Sequence, residues 1–213
     1  MQFTAFIEFL PKIKNQKLWA SIAHYKLAPL ERISDFQSVE YLASNPRKAA
    51  VVMLFYPKNN ITHLVLIARK PYQGTHSGQI CLPGGKMEDT DTCLQETAIR
   101  ETFEEIGIEK NKINLVKQLS EIYIPPSHLM VVPFLGYCTE TPSFIPDARE
   151  VDTIIEFPVS ELLDDSIIKK VQMKTSYADA IDVPAFVFEN HVIWGATAMM
   201  LSELKEIVKK VIS

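Results

Sequence analysis

Two short, continuous apolar runs stand out in the first half of the chain. Ala49-Ala50-Val51-Val52-Met53-Leu54-Phe55-Tyr56 and His63-Leu64-Val65-Leu66-Ile67-Ala68 are separated by Pro57-Lys58-Asn59-Asn60. Runs of this length, bounded by turn-forming residues, predict two buried strands. Similar runs predict strands at 113 to 124, 131 to 138, 153 to 157 and 185 to 188. Ahead of them, Phe3, Phe6, Ile7 and Leu10, then Leu18 and Ile22, fall at helical intervals broken by Pro11 and Pro29. Residues 1 to about 45 are therefore expected to form a helical extension packed on the rest.

Helical spacing returns at 92 to 106 and 194 to 211. In the later segment Met200, Leu201, Leu204, Ile207, Val208 and Val211 make one apolar stripe against Ser202, Glu203, Lys205, Glu206 and Lys209, which predicts a structural helix. The earlier segment carries end signals. Thr92 with Gln95 fits a capping box, Asp91 competes as the N-cap, and Gly107 stands where a left-handed residue ends a helix. At about 100° per residue, Glu101, Glu104 and Glu105 share one face while Ile99, Phe103 and Ile106 share the opposite one. The apolar face is expected to dock and the carboxylates to be gathered together. Strands in the middle, helices at intervals and no internal repeat indicate an α/β fold, a mixed sheet sandwiched between helices.

Composition narrows the partners. With 213 residues, 47% of them hydrophobic, the chain suffices for one sizeable core, so residues 1–213 are expected to form a single domain. The net charge of −4 comes without a basic cluster, which argues against a nucleic-acid partner. Cys81, Cys93 and Cys138 are odd in number and lack CxxC spacing, so neither a disulfide framework nor a zinc site is expected. The N-terminus lacks the pattern of a signal peptide, and no stretch approaches the roughly 20 apolar residues of a membrane helix. A cytoplasmic protein without a membrane partner is expected; a homodimer stays open.

The candidate chemistry lies between Gly84 and Ile108. Like charges at i and i+4 destabilise a helix by a few tenths of a kcal/mol, so a cation should offset the repulsion among the gathered carboxylates. Clustered hard oxygens suit Mg²⁺ or Mn²⁺, ions that bind diphosphate oxygens and activate water. The competing reading is a solvated acidic face partly neutralised by Arg100, four residues before Glu104. The loop Leu82-Pro83-Gly84-Gly85-Lys86 tips the balance, because two glycines let the backbone approach a ligand or metal closely. Glu150, at the start of a strand-like run, is a further acid candidate. His24, His63, His128 and His191 show no ligand spacing, Pro125-Pro126-Ser127 reads first as a rigid turn, and Cys81 reads as a small buried hydrophobe.

The stretch from Gly85 through Arg100-Glu101-Thr102-Phe103-Glu104-Glu105-Ile106-Gly107-Ile108 resembles the Nudix box. Thr102 stands at a usually apolar position, the spacing from Gly85 to Arg100 is one residue longer than the general pattern, and Asp91 takes the mid-box acid position. That lengthening, with the approach His76-Ser77-Gly78-Gln79-Ile80-Cys81-Leu82-Pro83-Gly84-Gly85, is similar to the coenzyme A pyrophosphatase branch; Leu82 replaces the usual Phe, and Gly74 stands where a basic residue is common. Tyr123 to Ser127 and Ile193 to Ala198 also look like the branch, so the likeness runs from about 49 to 204. It implies a Nudix-type fold and a hydrolase cutting a diphosphate linkage with Mg²⁺ or Mn²⁺. Arg100, Glu101, Glu104 and Glu105 would be catalytic, the three glutamates and the Gly85 carbonyl would hold the metal, and His76, Gly78, Gln79 and Gly84 would meet the substrate. Coenzyme A or an acyl derivative would be the substrate. The alternatives are nucleoside diphosphate sugars or dinucleotides, or a Nudix-fold module that binds a nucleotide without cutting it.

Overall fold

A computed structural model describes residues 1–29, 45–71, 76–173 and 180–212. Its centre is strand β1 (Arg47–Lys58), which turns through Asn59 and Asn60 into antiparallel β2 (Ile61–Arg69). Both asparagines take positive φ, 49° and 63°, the conformation a tight hairpin twisting with its strands requires and one asparagine tolerates. β1 also pairs antiparallel with β4 (Gly84–Lys86) and parallel with β7 (Leu129–Tyr137). Strand β3 (Ile80–Cys81) and β8 (Val151–Pro158) extend the sheet beyond β2, while β5 (Asn114–Gln118) and β6 (Ile122–Ile124) pair with β7. The expected strand at 113 to 124 is thus two strands. The break falls where Leu119 donates its N–H to the Pro133 carbonyl and Ser120 turns to a buried carboxylate. A second, smaller antiparallel sheet comprises β9 (Ile168–Met173), β10 (Ile181–Phe188) and β11 (His191–Ile193).

β1 is apolar on both faces because it is covered on both, the reason its sequence is a run and not an alternation. Ala50, Val52, Leu54 and Tyr56 pack with Ala98 and Ile106 of α3 (Leu94–Ile106). Ala49, Met53 and Phe55 face a larger core with Phe6 and Leu10 of α1 (Phe3–Asn15) and Leu201, Leu204 and Ile207 of α5 (Gly195–Ile212). Two short helices, α2 (Ser21–His24) and α4 (Val159–Leu163), complete the layers.

Three expectations about the helices need correcting. Pro11 does not break α1, which runs through it with Phe3, Phe6, Leu10 and Ile13 buried; burial of that face outweighs the roughly 3 kcal/mol that an interior proline costs. Leu18 and Ile22, expected to continue the stripe, are 37% and 66% exposed. Helix α3 starts at Leu94, with Cys93 as an N-cap whose side chain makes no capping bond. The expected Thr92–Gln95 box is absent, since this start puts Glu96 at the third helical position, where its carboxylate accepts from the Thr92 N–H and Oγ1 at 2.8 and 2.7 Å. Gly107 ends the helix as expected, at φ 73°.

The docked face of α3 was also misassigned. Phe103 is 44% exposed, while Thr97, Ala98, Thr102, Glu105 and Ile106 are buried. Thr102 fits an apolar position because its Oγ1 donates to the Ala98 carbonyl at 2.7 Å, satisfying the hydroxyl inside the helix. In α5, Ser202, Glu203 and Lys205 are buried too, although the pattern put them on the polar side. Glu203 accepts the N–H groups of Trp19, Ala20 and Ser120 and the Ser120 hydroxyl, at 2.6–3.1 Å, and the His24 Nε2 is 3.6 Å away. Burial alone would raise its pKa. The His24 ring and the Ser120 and Ala20 donors outweigh that and hold it at about 2.

Two stability measurements follow from these placements. Ile106→Ala should lower the urea-unfolding free energy by roughly 2–5 kcal/mol, as deletion of a buried aliphatic side chain does, whereas Phe103→Ala should cost under about 1 kcal/mol; equal losses would mean the helix is docked on the wrong face. A carboxylate with a depressed pKa contributes stability present above the ordinary value and lost as pH falls toward 2. The stability gap between wild type and Glu203→Gln should therefore be widest near neutral pH and close between about pH 4.5 and 2.

Candidate active site

A cavity of about 890 Å³ opens between the β1 face carrying Arg47, Ala49 and Val51, the β6 segment running to Ser127, and residues Trp194–Met200 at the start of α5. Helix α3 lies on the other face of the sheet, yet its Glu101 and Glu105 line this cavity. They reach it past the edge strand β4, where two residues lack side chains. A Cβ at Gly85 would lie 2.3 Å from the Glu101 carboxyl carbon. At Gly84, with φ +143°, it would meet the Ala50 carbonyl oxygen at 2.3 Å. The close approach expected of the glycine pair is thus made to Glu101 and to β1.

Glu105 is the most enclosed of the acids, 2% exposed. Its Oε2 accepts the Gly84 N–H at 2.8 Å and its Oε1 accepts Arg69 Nη2 at 3.0 Å, while the same guanidinium donates to the Gly84 carbonyl at 3.3 Å. Burial pushes Glu105 up to about 7 despite those donors, and the charges of Glu101 and Glu150 push the same way. Burial also raises Glu101. Near neutral pH Glu105 can therefore take up or release a proton. Arg69 was not singled out from the sequence; its one signal is a cation closing an otherwise apolar strand.

Arg100 gathers the other side of the site. Its Nε and Nη2 grip Asp91 at 2.9 and 2.8 Å, its Nη1 reaches Glu101 at 3.1 Å and Glu104 at 3.0 Å, and Nη2 also donates to the Lys86 carbonyl at 3.0 Å. Asp91 further accepts from the Glu88 N–H and the Thr97 hydroxyl. Arg100 thereby holds the Asp91 carboxyl far below the usual range. Asp91 is a brace for the box, tying its first half to the helix, and not the N-cap.

The structure brings Glu101, Glu105, Gly84, Gly85, His76 and Gln79 to one cavity, together with Glu150. Glu104 and Gly78 are not among the residues lining it; the Glu104 side chain is 53% exposed. His76 Nδ1 lies 3.0 Å from Gln79 Oε1, so its partner is a side chain. Cys81 is half-buried on the cavity wall, its thiol pushed up to about 11 by burial. Gly74 lies outside the described residues. In chemical kind, the carboxylates of Glu101, Glu105 and Glu150 and the backbone oxygens of the glycine turn fit a hard divalent cation, which would offset both the burial that raises Glu101 and Glu105 and the smaller repulsion from neighbouring carboxylates. Among the described residues no three acidic, histidine or cysteine side chains already converge closely enough to hold an ion, so a cation there also needs backbone, substrate or water oxygens.

Comparison with known proteins agrees with this geometry. The NUDIX domain model matches residues 45–177. Nudix hydrolase 15, mitochondrial, of Arabidopsis thaliana is 30% identical over 73% of this chain, but the chain spans only 56% of that protein's length. The peroxisomal coenzyme A diphosphatase ndx-8 of Caenorhabditis elegans is 28% identical over 80% of this chain and 73% of its own. In fold, the chain is similar to the crystal structure of a Nudix hydrolase from M. smegmatis, with a TM-score of 0.54 and 15% identity over 78% of this chain and 87% of that one.

The brace can be tested without any substrate. Asp91→Asn removes the most enclosed of the three carboxylates paired with Arg100, the two side chains being 12% and 4% exposed. Losing those charge-assisted hydrogen bonds is expected to lower unfolding free energy by about 1.5–3 kcal/mol. A change below about 0.5 kcal/mol in urea titration would show that Arg100 is held by its other contacts alone.

Proposed function

The chain belongs to the Nudix family, and we propose that it is a divalent-metal-dependent hydrolase that cuts the diphosphate of coenzyme A or an acyl derivative, giving a 4′-phosphopantetheine species and adenosine 3′,5′-bisphosphate. The observation that carries this reading is one cavity whose lining joins acidic groups to apolar wall. Glu101, Glu105, Glu150 and Arg69 share its lining with Ile124, Leu129, Trp194, Met199 and Met200. A diphosphate joined to a narrow, largely apolar arm needs such a pairing. The likeness to a coenzyme A diphosphatase of C. elegans supports the same substrate class.

In this reading Glu101 and Glu105, with the Gly85 carbonyl, would hold Mg²⁺ or Mn²⁺. Such an ion would supply polarisation of the diphosphate and a lower pKa for the attacking water. Arg100 fixes the Glu101 carboxylate through a charge-assisted bond, and Glu104 shares that guanidinium from the solvent side. Arg69 keeps Glu105 oriented toward the glycine turn. His76, Gly78, Gln79 and Gly84 belong to the substrate side of the proposal, which takes the whole chain as one Nudix domain in the cytoplasm, with 1–45 as its extension.

Glu101→Gln and Glu105→Gln should each lower turnover by orders of magnitude with circular dichroism unchanged, while Glu104→Gln should lower it less, since that carboxylate is the exposed arm of the Arg100 cluster. Hydrolysis of coenzyme A should exceed that of ADP-ribose and diadenosine polyphosphates in kcat/KM, with products identified by mass spectrometry. A higher kcat/KM for ADP-ribose would replace coenzyme A with the nucleoside diphosphate sugar reading; no hydrolysis of any diphosphate would leave a binding module.

A further inference from the structure

The cavity has a third chemical region. Side chains on a strand alternate between faces, and Arg47, Ala49 and Val51 of β1 all line the cavity. Their cross-strand partners Leu129 and Val131 on one side, and Lys86 and Gly84 on the other, line it too. Glu105 is bonded at Gly84, opposite Val51, so the acidic end lies at that level. Arg47 is four residues further along the strand, roughly 13 Å at about 3.3 Å per residue. Lys86, opposite Ala49, lies between the two levels.

Arg47 differs from the other arginines of the site in what it touches. Arg69 is paired with Glu105, and Arg100 with Asp91, Glu101 and Glu104. Among the described residues no carboxylate is paired with Arg47 or Lys86. The Arg47 side chain gives one hydrogen bond, from Nη2 to the Ser127 carbonyl at 3.2 Å, while its backbone N–H donates to the His128 carbonyl. A guanidinium carries five N–H donors in a planar fork. Among the described residues Arg47 is thus anchored to the 125–127 turn at one corner, with most of its donors uncommitted, beside a cavity whose other end is acidic.

We propose that Arg47 is a specificity residue that receives a phosphomonoester carried by the nucleoside half of the substrate, with Lys86 adding positive charge on the same sheet face. The inference rests on the diphosphate reading above. A nucleotide whose 5′ side meets the acidic end carries its ribose, and any phosphate on it, a few bonds away. Arg47, on the same cavity face as the glycine turn, offers that group a planar fork that matches phosphate oxygens two at a time.

The test is binding, independent of turnover. Calorimetry on the full chain would compare adenosine 3′,5′-bisphosphate with adenosine 5′-monophosphate, two probes that differ by this phosphate. Wild type should bind the bisphosphate about tenfold or more tightly, as a hydrogen-bonded charged group contributes, and Arg47→Gln should remove most of that preference. Arg47→Lys, which keeps the charge and loses the fork, should fall between them and serves if the glutamine variant unfolds. An equal preference in wild type and variants, or none in wild type, would overturn the proposal. Parallel assays of coenzyme A hydrolysis by wild type separate the two readings. Turnover with a preference indifferent to Arg47 removes the phosphate subsite alone; an Arg47-dependent preference without turnover removes the coenzyme A reading alone.

Discussion

The site depends on how closely helix α3 approaches strand β4. A helix on one face of a sheet cannot ordinarily present side chains to a cavity on the other, because the side chains of the intervening strand fill the space. Here β4 is three residues long and two of them are glycines, so the Glu101 carboxyl occupies the volume of a missing Cβ and Glu105 takes the Gly84 N–H. The same approach removes Glu105 from water. That desolvation is what pushes its pKa toward neutrality, and it is bearable because Arg69 and Gly84 each give a donor. Docking, cavity access and acidity are therefore one constraint seen three ways.

Two buried glutamates show how the number of donors decides what a carboxylate does. Glu203 is fully enclosed, but four donors from two segments converge on it and hold its pKa at about 2. Glu105 receives two, and it shares the cavity lining with Glu101 and Glu150, whose charges act on it. The first arrangement is closed and ties the chain together. The second leaves negative charge incompletely compensated, so it favours a proton or a cation.

Much of the layout was legible in the chain because it follows from periodicity and backbone freedom. The β1 and β2 runs, the Asn59–Asn60 turn and Gly107 are local signals that tertiary packing does not override. Glu101 and Glu105 were legible as neighbours and Gly84–Gly85 as a place of close approach, whereas Glu104 points away from the cavity that those two line. The facing of α3 was not. Thr102 looks polar and Phe103 apolar, yet the threonine hydroxyl can be satisfied within its own helix and the phenyl ring can lie under Lys110, 5.8 Å from its amine, at the surface. Glu203 and Lys205 misled for a related reason: their partners come from residues 19–20, 120 and 164–165, distant in sequence. Arg69 had no pattern around it, because its partner is 36 residues away on another element.

Helix α5 links stability to the site in a way neither end of it reveals alone. Its first turn forms cavity wall, with Gly195, Ala196 and Thr197 along it and the Thr197 hydroxyl bonded to the β3 carbonyl of Ile80. One to two turns further on, Ser202 donates to the Ala23 carbonyl and Glu203 holds Trp19, Ala20 and Ser120, while Lys205 reaches the Asp164 carbonyl and the Asp165 carboxylate. An α-helix transmits displacement along its axis with little bending over so short a span, since each turn is fixed by its own backbone hydrogen bonds. The wall at Trp194–Met200 is therefore positioned by anchors about 10 Å away, at 1.5 Å per residue. These polar anchors specify the helix's rotation as well as its depth: an apolar stripe alone tolerates small rotations, whereas carboxylate and amine geometry does not. The N-terminal segment thus acts on the cavity through Glu203, without itself carrying the acids.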